Sequence, residues 1–320
     1  MDFKSIAGTV GNEFSTVDSF ITEALRAQVP LINLVADYII GSGGKRVRPL
    51  VCLLSARASG YTGNHHVNVA GIVEILHTAT LLHDDVVDES KLRRGKATVN
   101  ASWGNATAVL VGDYLISRAF QLIVELKNQR LMEIMAEGTC VISEGEVLQL
   151  IAQRDPDTTE ARYMEVIHGK TAKMFEAAAE CGAALGNPEL CDAMATYARH
   201  LGAAFQIIDD VLDYTSSAEV MGKNVGDDLA EGKPTLPLIQ AMKAAEPHEV
   251  ELIRNAIRHG EVERIAEIMA IVRKTGALDY TLAAAERESE LAIQALAPVP
   301  ESVYKDAMIS LARLALKRSS

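Results

Sequence analysis

An all-α fold is predicted for this 320-residue chain by three properties of its sequence. Alanine and leucine recur throughout while aromatic residues make up only 5%, a composition suited to helices packed on helices rather than to strands of β-branched and aromatic residues. Apolar residues repeat with helical spacing over long stretches. Gly and Pro fall mainly where those stretches stop.

The elements follow in order. Helices are expected over 13–28, 31–41, 46–60 and 66–89, with Gly41-Ser42-Gly43-Gly44 turning the chain between the second and third. Two more are expected over 100–126 and 130–152, after which Asp155-Pro156-Asp157 breaks the pattern. The stretch 159–185 ends at Gly186-Asn187-Pro188, and 189–217 follows it. Shorter helices are expected over 235–244, 248–258 and 262–273, then 276–295, the turn Pro298-Val299-Pro300 and a last helix over 301–318. Short turns imply antiparallel neighbours. No Ser/Gly linker, charge block or low-complexity tract divides the sequence, so residues 1–320 are expected to form a single domain.

Composition also restricts function. A net charge of -12 argues against broad attraction to nucleic acid, which needs clustered positive charge. Any anionic ligand must therefore be held by local groups. Cys52, Cys140, Cys181 and Cys191 have no C-x-x-C spacing and are expected to be buried free thiols of a reducing compartment. The opening Met1-Asp2-Phe3-Lys4-Ser5 lacks the basic-then-apolar build of a signal peptide, and the apolar stretch 106–124 carries Asp113 and Arg118. A soluble, cytoplasmic protein is expected.

The chemistry is concentrated in one internal echo. Leu82-His83-Asp84-Asp85-Val86-Val87-Asp88 and Ile207-Ile208-Asp209-Asp210-Val211-Leu212-Asp213 each run from apolar residues into D-D-x-x-D. On a helix the first and last aspartates of that pattern share a face, one turn apart. A solvated helix end is the plain alternative for one copy. Two copies, each following an apolar stretch and each followed by basic residues, point instead to a cation and an anion. All-oxygen ligation favours a hard ion such as Mg²⁺, which binds through one or two carboxylates and substrate phosphates.

The basic segments are Gly43-Gly44-Lys45-Arg46-Val47-Arg48-Pro49, Arg93-Arg94-Gly95, Gly222-Lys223 and Gly232-Lys233-Pro234-Thr235. Cations and helix N-terminal amides both attract phosphate. None of these segments has the Walker spacing, so nucleotide hydrolysis is not indicated.

Taken together, from Gly43-Gly44-Lys45-Arg46 to Lys233-Pro234-Thr235, these motifs resemble the trans (all-E) polyprenyl diphosphate synthases, and the likeness continues into the C-terminal helices. The segments 77–90 and Phe205-Gln206-Ile207-Ile208-Asp209-Asp210 look most like the octaprenyl, long-chain members. The resemblance implies a helical bundle of the isoprenoid synthase type with a central apolar tunnel. It implies a prenyltransferase that condenses isopentenyl diphosphate head-to-tail onto an allylic prenyl diphosphate such as farnesyl diphosphate, making a quinone side-chain precursor. It further implies Mg²⁺, three ions per active site with substrate bound, and a homodimer with transient membrane contact for product release.

Residue by residue, the resemblance makes Asp84, Asp88 and Asp209 metal ligands, with Asp85, Asp210 and Asp213 beside them. Lys45, Arg48, His77 and Arg94 would bind isopentenyl diphosphate. Arg93, Lys170, Thr171, Gln206, Lys223 and Lys233 would face the allylic diphosphate, with Lys170 and Lys223 also counted as catalytic. Thr80 and Ala79, four and five residues before Asp84, lie about 6 Å deeper along their helix and are small enough to leave a path for a growing chain. If the next helix runs from 100 to 126 it descends roughly 39 Å, making Ile123, Met132 and Met135 candidates for a tunnel floor.

Two other readings share this scaffold. A shorter-chain synthase or a terpene cyclase is one, and a cyclase would not need Lys45, Arg48 and Arg94. A non-catalytic partner subunit is the other, although this sequence keeps both aspartate sets complete.

Overall fold

In a computed structural model of the chain, residues 1–41, 43–215 and 226–317 are described. They are helical almost throughout, in two compact units. The first comprises Met1–Gly138, Met174–Ala198 and Ala295–Leu311, and the second Thr139–Lys173, Arg199–Gln294 and Ala312–Ser320.

In the first unit the helix Asn105–Glu125 packs along His65–Val87, which also carries Val47–Ala58 and Gly11–Ala24. Leu50, Leu53, Leu54, Ile72, Ile75 and Leu115 are fully buried there. Local chemistry fixes the ends. Asp2 accepts from Ser5 N and Thr98 from Ala101 N, while Pro30 opens its helix at a position where no amide donor is needed.

Several sequence expectations change here. A helix at Phe3–Gly8 precedes the first one expected. Gly104 (φ 85°, ψ 159°) divides the expected 100–126 helix into Val99–Trp103 and Asn105–Glu125. The 21-residue second piece spans about 30 Å rather than 39 Å. Between Asp88 and Thr98 the chain forms an antiparallel hairpin, Leu92–Arg93 with Lys96–Ala97. Its two turn residues, Arg94 (φ 52°) and Gly95 (φ 73°), are both left-handed, the combination that matches strand twist in a two-residue loop.

Asn105–Glu125 is the one helix, among the described residues, long and apolar enough to cross a membrane by length and composition. It buries one face, including Ala108, Val111, Leu115 and Ile123, and exposes Val109, Leu110 and Val124. All four cysteines are free; Cys52, Cys181 and Cys191 are buried as expected, whereas Cys140 is exposed.

In the second unit one cluster joins Tyr163, Ile167, Ile207, Ile208, Leu236 and Ile239, and another joins Tyr214, Leu229, Leu238, Ile253, Ile257 and Val272. The helix Pro247–His259 opens with a Glu246/Glu249 capping box and closes on Gly260 in the left-handed region. The expected 159–185 helix is not uniform. Glu160–Ile167 passes through a π-helical turn, His168–Ala172, into Lys173–Leu185. Such a turn admits one extra residue and recurs at functional sites.

Candidate active site

The chemistry-bearing residues occur in both units, and each set is built by its own surroundings. In the first unit Asp84 and Asp85 lie in the last turn of His65–Val87, with Asp88 as its C-cap. That turn contains no basic residue, although the partial negative charge of a helix C-terminus favours cations there. Asp85 is buried, and its Oδ1 accepts two hydrogen bonds from Arg93, from Nε at 2.9 Å and Nη2 at 2.7 Å. Burial raises the Asp85 pKa, Arg93 opposes this, and Asp84 and Asp88 add to it. Asn100 Nδ2 holds the Asp85 carbonyl at 2.9 Å. Asp84 and Asp88 are half-buried.

The hairpin delivers Arg93 and Arg94. Tyr38 OH donates to Ala97 O at 2.6 Å, Lys96 Nζ to Gly41 O at 2.9 Å, and Arg94 Nη1 to Gly43 O. These bonds strap the hairpin to the segment leading into Lys45, which is exposed. Arg48 lies 4.4 Å above the Phe175 ring, and its Nη1 is 3.0 Å from His77 Nε2. Burial first, then Arg48, Arg93, Arg94 and Arg46, push the His77 pKa well below its usual value. The ring is therefore neutral at pH 7. A guanidinium only donates, so Nε2 accepts and Nδ1 carries the proton, available to an anion. Two residues on, Ala79 is fully buried, and Thr80 Oγ1, three residues on, donates to His77 O at 2.8 Å. Ile123 and Met135 are buried and Met132 is half-buried.

In the second unit Asp209, Asp210 and Asp213 occupy the closing turns of Cys191–Thr215, again with no basic residue in the last turn. Asp210 is buried and doubly held. Tyr163 OH donates to Oδ2 at 2.6 Å, and Gln206 Nε2 to Oδ1 at 2.9 Å. Burial and then Asp228 raise its pKa well above the carboxylate range, against both hydrogen bonds, with Asp209 adding to the rise. The chain of bonds continues outward, because Thr171 Oγ1 donates to Gln206 Oε1 at 3.0 Å. Asp213 Oδ2 accepts from Asp228 N at 3.4 Å. Lys170, within the π turn, meets Glu146 at 2.6 Å, and Lys233 pairs with Glu231. Lys223 lies outside the described residues.

The second aspartate of each motif is thus fixed by protein donors, Arg93 for Asp85 and Tyr163 with Gln206 for Asp210. Sequence reasoning missed Tyr163, Glu146 and Asn100, which lie outside every motif and carry no local signal. Among the described residues no group of three or more His, Cys, Asp or Glu side chains forms a metal cage. A hard divalent ion needs none, since one or two carboxylates and substrate phosphate oxygens complete its shell. Like-charge crowding at Asp209, Asp210 and Asp228, and carboxylates placed against a helix dipole, are both relieved by such an ion. The residues present fit it.

A family model, polyprenyl synthetase, matches residues 29–274. An all-trans-nonaprenyl-diphosphate synthase (geranyl-diphosphate specific) of Rhodobacter capsulatus is 52% identical over 321 residues, covering 99% of each chain. An octaprenyl diphosphate synthase of Escherichia coli K12 is 48% identical with the same coverage. The crystal structure of a polyprenyl synthase from Caulobacter crescentus CB15, complexed with calcium and isoprenyl diphosphate, superposes with a TM-score of 0.96 at 41% identity, covering 100% of this chain and 98% of that one.

Proposed function

Because the chain belongs to the polyprenyl synthetase family, whose members use a divalent metal and act on isopentenyl and allylic diphosphates, we propose that it makes a long-chain, octaprenyl, all-E diphosphate. It is a prenyltransferase with the all-α isoprenoid synthase fold. The observation that carries the reading is the paired aspartate motif, each copy at a helix C-terminus and each with its middle carboxylate already fixed. The family match draws on residues of both units, which supports one synthase domain.

Lys45, Arg48, His77 and Arg94 bind isopentenyl diphosphate. Arg48 is oriented by its bond to His77 and by the Phe175 ring, and the neutral His77 offers Nδ1–H. Arg93, Lys170, Thr171, Gln206, Lys223 and Lys233 serve the allylic diphosphate. Asp84, Asp88 and Asp209, with diphosphate oxygens, would hold Mg²⁺, three ions, which would supply neutralisation of the leaving group's charge. The allylic C–O bond breaks, the isopentenyl double bond forms the new C–C bond, and the proton lost goes to the departing diphosphate. No side-chain nucleophile is needed.

The product supplies a quinone side chain in the cytoplasm, with transient membrane contact as it leaves. Val109, Leu110 and Val124, exposed on one helix, support a homodimer, because a second copy would cover them. Purified protein with Mg²⁺, isopentenyl diphosphate and farnesyl diphosphate should yield octaprenol after dephosphorylation and chromatography. Asp84→Ala and Asp209→Ala should each lower turnover by about two orders of magnitude or more. Cyclic hydrocarbon formed without isopentenyl consumption would sink the reading, and a product of four isoprene units would reject its chain length.

A further inference from the structure

Arg46 stands in the middle of the Lys45–Arg48 segment, yet its guanidinium is turned inward. Its side chain is 11% exposed and meets two carboxylates from two helices: Glu74 Oε1 accepts from Nη1 at 2.6 Å, and Asp18 Oδ1 from Nε at 3.0 Å. The backbone of Arg46 is left-handed, so the residues on either side diverge sharply from it. Glu74 is itself buried and stands one turn before His77 on the same helix face.

That face therefore presents two successive acceptors, the Glu74 carboxylate and the His77 ring. They take two alternate guanidiniums of one short segment, Arg46 and Arg48. Only Val47 separates the two contacts. Sliding or rotation of the segment would break both at once. Glu74 also offsets repulsion locally, for its charge is felt at Arg94 as well as at Arg46, against the mutual repulsion of Arg46, Arg93 and Arg94.

We infer that Glu74, through its buried ion pair with Arg46, is a positioning residue that sets Lys45 and Arg48 for the diphosphate of isopentenyl diphosphate. Arg46 is thereby removed from the ligand and made the fastening of its neighbours. The inference rests on the function proposed above. A lysine cannot replace Arg46, because two separate guanidinium nitrogens are used in two directions.

The test is a split between substrates. Glu74→Gln, which keeps the shape and loses the charge, should raise KM for isopentenyl diphosphate about tenfold while kcat and KM for farnesyl diphosphate stay within about twofold. Arg46→Met should do the same, and the double variant should be no worse than either single one, as expected for two residues acting as a pair. Glu74→Asp should recover part of the loss.

An unchanged isopentenyl KM in both single variants, or an equal rise for both substrates, would overturn the inference. If either variant fails to fold, Asp18→Asn takes its place: Asp18 is 56% exposed, so the fold survives, and the isopentenyl KM should rise about two- to threefold rather than stay constant. Wild-type protein that consumed no isopentenyl diphosphate would refute the function separately. Calorimetry with inorganic pyrophosphate then decides the positioning role, with Glu74→Gln expected to bind about tenfold more weakly and equal binding counting against it.

Discussion

Asp85 and Asp210 hold the same place in their motifs and meet different partners, a guanidinium in one case and a phenol with an amide in the other. Burial also keeps the Tyr163 hydroxyl protonated by raising its pKa, so it remains a donor to Asp210. Tyr163→Phe should therefore cost about 2 kcal/mol of stability, since a buried carboxylate loses one of two donors, and should lower turnover about tenfold. Thermal unfolding and steady-state rates check this. His77 gives a pH prediction. Its folded pKa is depressed, so the unfolded chain takes up the proton first as pH falls below about 6.5, and stability is lost in that window. The raised pKa values of Asp85 and Asp210 work in the opposite sense. The melting-temperature difference between wild type and His77→Gln should accordingly narrow from pH 7.5 to 5.5; a constant difference would contradict it. The aspartates were legible in the sequence because each cluster is contiguous. Tyr163 and Glu74 were not, because their contacts span 47 and 28 residues and leave no periodic trace.

At the scale of elements, helical periodicity located the long helices but not what interrupts them. Two-residue strands have no period to detect, and the hairpin that carries Arg93 and Arg94 rests on a turn conformation rather than a pattern. The π turn is equally silent, since one inserted residue offsets the apolar register by a single position while the helix runs on through it. Its support is a close approach of backbones: Gly145 faces Gly169 across a helix pair, and a Cβ at Gly145 would lie 2.5 Å from Lys170 N. Backbone would have to move. Gly145→Ala should cost about 1–3 kcal/mol and shift Lys170, lowering kcat as well as the melting temperature. A fully active variant of unchanged stability would show that the approach is loose.

For the molecule as a whole, the fold class was readable because alanine, leucine and the scarcity of aromatics all point one way. Under the proposed function, product length would depend on a few small side chains instead. Ala79, fully buried before the first aspartate motif, is the position where bulk should matter most. Ala79→Phe should shorten the dominant product by several isoprene units, read by chromatography of the dephosphorylated alcohols. An unchanged length in a folded, active variant would remove Ala79 from the path of the growing chain.

The hairpin strap carries a consequence for how this protein tolerates change. Tyr38, Arg94 and Lys96 each end on a main-chain carbonyl, those of Ala97, Gly43 and Gly41. A carbonyl is present whatever side chain the residue bears, so drift is permitted at Ala97 and penalised at its partner Tyr38, while Gly43, at φ 71°, is held to glycine by its own backbone. In a saturation scan under selection for activity, Ala97 should accept most residues while Tyr38, only a hydroxyl away from phenylalanine, should not accept even that one.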